Sequence, residues 1–181
     1  MWTSQSLQEV RGQALLRYME TVSIMGDTAA LLSIVALSIA VLLWQRNTAE
    51  ALFLFIAPFG YVISPLLKNV IDRPRPSPQL VDVFAQESTK AFPSGHALAA
   101  ILILGAVFYV AGPLLGYRRR LVWATRALIL MLIGSISVSR VYLGLHWASD
   151  VYGGVLIGGL VLLAWIWAFE RRQRARISPR T

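Results

Sequence analysis

Residues 93–115 read PSGHALAAILILGAVFYVAGPLL: a turn carrying Pro93, Ser94, Gly95 and His96, then an uncharged apolar run from Ala97 to Leu115. A helix that crosses a bilayer needs roughly 17 to 25 mostly apolar residues, and this run meets the requirement. Four more runs meet it on either side: Thr28 to Trp44, Ala51 to Leu67, Leu121 to Ser139 and Val151 to Phe169. The reading is an all-α polytopic membrane helical bundle of five spans, forming a single membrane-embedded domain over residues 1–181. Arg126 lies near the start of the fourth run, where a long side chain can snorkel to the interface.

Composition supports the same solvent. The chain is 56% hydrophobic and only 14% charged, too little polar surface to cover a soluble globule of 181 residues. Its formal net charge of +8 does not point to nucleic acid, because the cations gather between and after the apolar runs rather than on an aromatic-dotted face. Without cysteine there is no disulfide framework or thiolate metal site. The first residues show no basic-then-apolar signal pattern, so the internal helices are expected to direct insertion. Residues 1–25 contain Leu7, Val10, Ala14, Leu15, Tyr18, Met19 and Val22 at helical spacing, interrupted by Glu9, Arg11, Arg17 and Glu20. From Ser6 to Ile24 this reads as an amphipathic helix on the interface, with a sixth span as the alternative.

Five crossings that begin with Thr28 on one side place all the chemically interesting polar residues on that side. The opposite side receives Arg46, Arg118, Arg119, Arg120, Arg126 and the arginines from Arg171 to Arg180. By the positive-inside rule the arginine-rich side is cytoplasmic and the other is the outer face. The expected location is therefore a bacterial-type inner membrane with the site on the periplasmic side. Residues 68–95 form the outer loop, in which Pro74, Pro76, Pro78 and Pro93 forbid a continuous helix.

Three polar stretches stand at the outer ends of different spans: Lys68 to Pro76, Pro93 to His96, and Ser139 to Asp150. A phosphoryl group needs fixed cations and donors around its nonbridging oxygens, an in-line nucleophile and an acid for the leaving oxygen. Lys68, Arg75 and Arg140 supply cations, the arginines as planar forks that match phosphate oxygens. Ser94 and Gly95 offer a hydroxyl and backbone N–H groups at a helix N-terminus, where an anion is favoured. The chain has two histidines, and both fall in these stretches. His146 and Asp150 are four apart and are expected on one helix face, the carboxylate fixing one ring nitrogen and leaving the other nucleophilic. Gly144 permits the turn after Arg140. His96 remains to protonate the leaving oxygen and then activate water.

The order Lys-x6-Arg-Pro, Pro-Ser-Gly-His and Ser-Arg-x5-His-x3-Asp resembles the three-part signature of the type 2 phosphatidic acid phosphatase superfamily, related to vanadium haloperoxidases and bacterial acid phosphatases. The likeness runs from Lys68 to Asp150 with every signature position occupied. It implies phosphate binding by Lys68, Arg75, Ser94, Gly95 and Arg140, acid–base catalysis by His96, nucleophilic attack by His146 and orientation by Asp150. It also implies no metal and no cofactor, a lipid phosphate as substrate, and commonly six spans. The implied substrates are undecaprenyl diphosphate or another polyprenyl diphosphate, phosphatidylglycerol phosphate, phosphatidic acid and lipid A phosphates.

Other readings stay open at this point. A lipid-linked phosphotransferase would use the same chemistry with a different acceptor, a non-enzymatic anion transporter would use the intramembrane cations alone, and a vanadate peroxidase is disfavoured by the lipid-facing spans. Gly153, Gly154, Gly158 and Gly159 read as a close helix-packing stripe, with a homodimer seam as the alternative. Asp72 and Arg73 either pair with each other or reach substrate. Tyr142 and Trp147 border the candidate nucleophile.

Overall fold

An apolar segment in lipid must satisfy its backbone internally, and each of the five apolar runs does so as a helix. The computed structural model describes residues 7–10, 12–84 and 87–177, and among them six helices and no strands. They are α1 (Gln13–Met25), α2 (Thr28–Trp44), α3 (Thr48–Ile71), α4 (Gly95–Leu114), α5 (Arg119–Tyr142) and α6 (Ala148–Ile177). Helices α3, α4, α5 and α6 are each long and apolar enough to cross a membrane, and α1 with α2 makes a fifth candidate crossing bent by 56°. No sixth crossing is found among the described residues.

The chain is a multi-pass membrane protein arranged around α4. Of its most apolar window 61% is buried against protein, compared with 22–28% for α3, α5 and α6, so α4 is the axis and the others face lipid. Glycine lets α6 lie directly against it: a β-carbon on Gly154 would come within 2.7 Å of the Ser94 carbonyl oxygen, and one on Gly158 would overlap Ile101. Gly153 meets Phe92 in the same way, while Gly159 faces open space. Most of the glycine stripe is thus taken up by packing within the chain.

Irregular turns interrupt α3 and α4. Pro58 lacks an N–H and falls in the tight turn Ala57–Val62, which joins the two α-helical halves of α3. A wide turn over Ala100–Leu104 interrupts α4 one turn beyond His96, a device frequent beside functional sites.

The N-terminal segment differs from expectation. Ser6 and Arg11 lie outside the described residues; Leu7 and Gln8 are helical, but Gly12 is in extended backbone at φ 179°, and the long helix starts only after it, at Gln13. Leu15, Leu16 and Met19 of α1 pack on Tyr142, Leu143 and Leu145, and the Tyr18 hydroxyl lies 3.0 Å from that of Ser135. Helix α1 therefore rests on the end of α5 that carries Arg140. Gln8 fastens the long loop to this end, donating to the carbonyls of Asp82 and Tyr142 at 2.7 and 2.8 Å.

Candidate active site

All three polar stretches arrive at one end of the bundle. Lys68 is on the last turn of α3, Arg75 on the loop that follows, Ser94, Gly95 and His96 at the start of α4, Arg140 on the last turn of α5, and His146 and Asp150 where α6 begins. Topology forces this meeting, because antiparallel crossings return the chain to the same surface every second pass.

Their common centre is a residue the sequence reading did not single out. The Glu87 carboxylate accepts from Arg75 Nη2 at 2.5 Å through Oε2 and from Arg140 Nη2 through Oε1. Burial, the largest influence, pushes this carboxyl up, but Arg140 and Arg75 pull it below the usual carboxylate range, with the imidazoles of His146 and His96 adding to them. Thr89 joins the cluster, its Oγ accepting from Lys68 Nζ at 3.0 Å and Arg75 Nη2 at 2.9 Å.

His146 is 1% exposed, and its Nε2 lies 3.3 Å from Arg75 Nη1. A guanidinium can only donate, so Nε2 must be the bare, accepting nitrogen and Nδ1 the protonated one. Burial pushes the imidazole below its usual range; the Asp150 carboxylate opposes this, and Arg75 and Arg140 reinforce it. The ring is neutral at neutral pH, with a lone pair on Nε2.

The expected helical pairing of His146 and Asp150 needs correction. Helix α6 starts at Ala148, so His146 is in the turn before it and not on its face. Asp150 uses Oδ2 to accept from the Trp147 N–H at 2.9 Å, and this oxygen stands 3.7 Å from His146 Nδ1, close enough for strong attraction but longer than a hydrogen bond. The buried Oδ1 is neutralised by Arg73 Nη1 at 2.7 Å, an ion pair off the ideal hydrogen-bond direction. Arg73 therefore pairs with neither Asp72 nor an open pocket: it also donates to Ser149 at 2.9 Å, while Asp72 is bound by Lys90.

The turn that presents His146 depends on Gly144. Its φ of +69° belongs to the left-handed region, and a β-carbon would collide with the Asp82 carbonyl. Tyr142 is buried and stacks on Phe84, whereas Trp147 donates to the Pro74 carbonyl at 3.2 Å. Both border the site as structural supports.

Several buried donors end here without a partner: Ser94 Oγ, Ser64 Oγ and Arg140 Nε. Buried polar groups are nearly always paired, so unpaired donors beside fixed cations can take the oxygens of an anion. Sequence reasoning missed Glu87, Thr89, Asp27 and Ser23. Their contacts with the motif residues cross from 12 to 117 positions, so no local spacing announces them.

The chain has counterparts in sequence and fold. The family model described as the PAP2 superfamily matches residues 49–174. Phosphatidylglycerophosphatase B of Bacillus subtilis (strain 168) is 29% identical over 168 residues, covering 90% of this chain and 79% of that protein. The crystal structure of a transmembrane PAP2 type phosphatidylglycerolphosphate phosphatase from Bacillus subtilis superposes with a TM-score of 0.83 at 25% identity, over 93% of this chain and 83% of that one. Aquifex aeolicus LpxE shares the fold at a TM-score of 0.70 and 22% identity, over 91% and 92% of the two chains. Since the family model spans well over half of the sequence, the chain belongs to the PAP2 superfamily.

Proposed function

We propose that the protein is a lipid phosphate phosphatase that works through a phosphohistidine on His146. The observation that carries this reading is the Glu87 carboxylate, gripped by Arg75 and Arg140 next to the bare Nε2 of His146. A carboxylate held so is a stand-in for two nonbridging oxygens of a phosphate, and substrate would replace it.

In the first step Nε2 of His146 attacks phosphorus and the bond to the lipid oxygen breaks. Lys68, Arg75 and Arg140, with the Ser94 hydroxyl and the N–H groups at the Gly95 helix start, hold the three oxygens on which charge builds. Asp150 stabilises the imidazolium that forms, as a buried carboxylate does behind a catalytic histidine. His96 gives its proton to the departing oxygen. In the second step His96 takes a proton from water, the water oxygen attacks phosphorus, and the P–N bond breaks to release inorganic phosphate. A diphosphate substrate leaves a lipid monophosphate in the first step, and a monoester leaves a lipid alcohol. All the positive charge is supplied by side chains.

Phosphatidylglycerol phosphate is the first substrate to test, because the similar protein and the similar crystal structure from Bacillus subtilis are both named for it. Undecaprenyl diphosphate is the second, since the site lies at the bundle end opposite Arg118–Arg120 and the arginine tail. That distribution supports a site on the outer face of an inner membrane, where a lipid headgroup meets Lys68 and Arg75 while its chains stay in hydrocarbon.

The test is a screen of purified protein against these lipids for phosphate release, with His146→Ala as the blank and rapid acid-free quenching to trap an acid-labile phosphoenzyme. Turnover that survives in the His146→Ala protein would overturn the proposal. Transfer of phosphate to an acceptor other than isotopic water would make the protein a transferase by the same mechanism.

A further inference from the structure

Asp27 is the residue that opens α2, where an aspartate ordinarily folds its carboxylate back onto an N–H of the first helical turn. It makes no such cap. Its Oδ1 instead lies 2.8 Å from Nε2 of His96, 69 positions further along the chain. The α1–α2 corner is shaped for this approach. A β-carbon on Gly26 would stand 3.3 Å from Cδ2 of His96 and 2.7 Å from the Ile136 side chain, so glycine lets the corner pass this close. Three residues earlier, the Ser23 hydroxyl accepts from Arg140 Nη1 at 2.6 Å. The N-terminal segment thus reaches the site twice, once at a cation and once at an imidazole.

We propose that Asp27 is the positioning residue of His96 and fixes which of its nitrogens exchanges protons. The inference rests on the phosphatase reading above. A carboxylate can only accept, so the proton on Nε2 is committed to Asp27 and Nδ1 is the nitrogen left to serve the leaving oxygen and the water. The two imidazoles then work in opposite tautomers: His146 attacks through Nε2, and His96 gives and takes its proton through Nδ1. Asp27 is 54% exposed, so solvent screens it and its effect falls well short of that of a buried carboxylate behind a catalytic histidine.

The decisive readout is the leaving group. A long-chain alkyl phosphate needs its oxygen protonated as it departs, whereas a nitrophenyl phosphate carrying a similar chain does not. Asp27→Asn and Asp27→Ser both retain a capping atom at the start of α2, which guards the fold. We expect kcat/KM for the alkyl ester to fall roughly tenfold in both variants and for the nitrophenyl ester by less than about twofold, a fraction of the usual worth of an acid catalyst. Asp27→Glu should recover part of the loss. Equal losses on both esters, or no loss on either, would overturn the proposal. His96→Ala run in parallel separates the two levels of the argument. It should show the same selectivity with a larger amplitude, and indifference to the leaving group there would refute the acid role of His96 itself.

Discussion

At one end of the bundle Arg140 is 3% exposed and divides the Glu87 carboxylate with Arg75; at the other, Arg174 is 82% exposed and reaches Glu170 one helical turn away at 3.2 Å. The partners are of the same chemical kind. Their surroundings are not. In water a pair at this distance gains little, because solvent screens it and two long side chains lose freedom. Withdrawn from water, each charge would cost several kcal/mol if left alone, so it is held only where neighbours oblige. The arginines at the Arg174 end need only stay on their side of the membrane, whereas those at the Arg140 end are held together by one carboxylate, the place the proposed mechanism gives to a phosphoryl group. Five cations, Lys68, Arg73, Arg75, Lys90 and Arg140, also stand on the side the positive-inside rule makes the outer one, and four of them are engaged around the candidate site, by Thr89, Asp150 and Glu87.

The comparison breaks first at the nucleophile. His146→Ala should reduce phosphate release by at least about 10⁴-fold, with the protein still inserted and monodisperse by size exclusion in detergent. Arg140→Gln comes next. Removing one fixed donor from the developing charge is worth on the order of 10²- to 10³-fold in kcat, read by steady-state kinetics on the best lipid substrate.

These two effects fall on residues that the sequence singled out and the structure brings to one surface, and the reason is local. Lys68 with Arg75, Ser94 with His96 and Arg140 with His146 are each close in sequence, and the alternation of apolar runs brings the three groups to one surface without knowledge of any contact. The ends of α2 at Thr28 and Trp44 were legible for the same reason, since a lipid-exposed helix must be continuously apolar. Glu87 was not legible, because a lone glutamate in a proline-rich loop has no pattern until Arg140 arrives 53 residues later. Asp27 was equally silent, since its partner His96 lies 69 residues further on. The link between His146 and Asp150 was found, but its form was misjudged: the i, i+4 rule presumes a helix, and α6 starts only after His146.

A subtler effect concerns pH. The folded imidazole of His146 is held below the ordinary histidine value by burial, with Arg75 and Arg140 adding to it and Asp150 opposing. The protonated ring cannot attack, so the nucleophile is lost as pH falls through the folded pKa and is fully available above it. The acid limb of kcat/KM should therefore lie below about 6.5, the unperturbed value. Arg75→Gln removes one opposing cation and should move that limb to higher pH, whatever it does to the plateau.

The smallest effect is predicted at the opposite end. Arg174→Ala should change kcat/KM by less than about twofold and leave thermal stability nearly unchanged, as is usual for an exposed i, i+4 pair. A large loss there would mean that the two ends are coupled in a way their exposure does not suggest.

The claim beneath all of these is that three distant stretches enclose one phosphoryl site with an imidazole at either side. Vanadate imitates the phosphoryl group in flight, so an experimental structure of the vanadate-inhibited protein tests it most directly. The account predicts vanadium bonded to Nε2 of His146, its oxygens held by Arg75 and Arg140 in place of Glu87, and His96 facing the apical oxygen. Vanadate bound elsewhere, or bound with His96 out of reach, would contradict it.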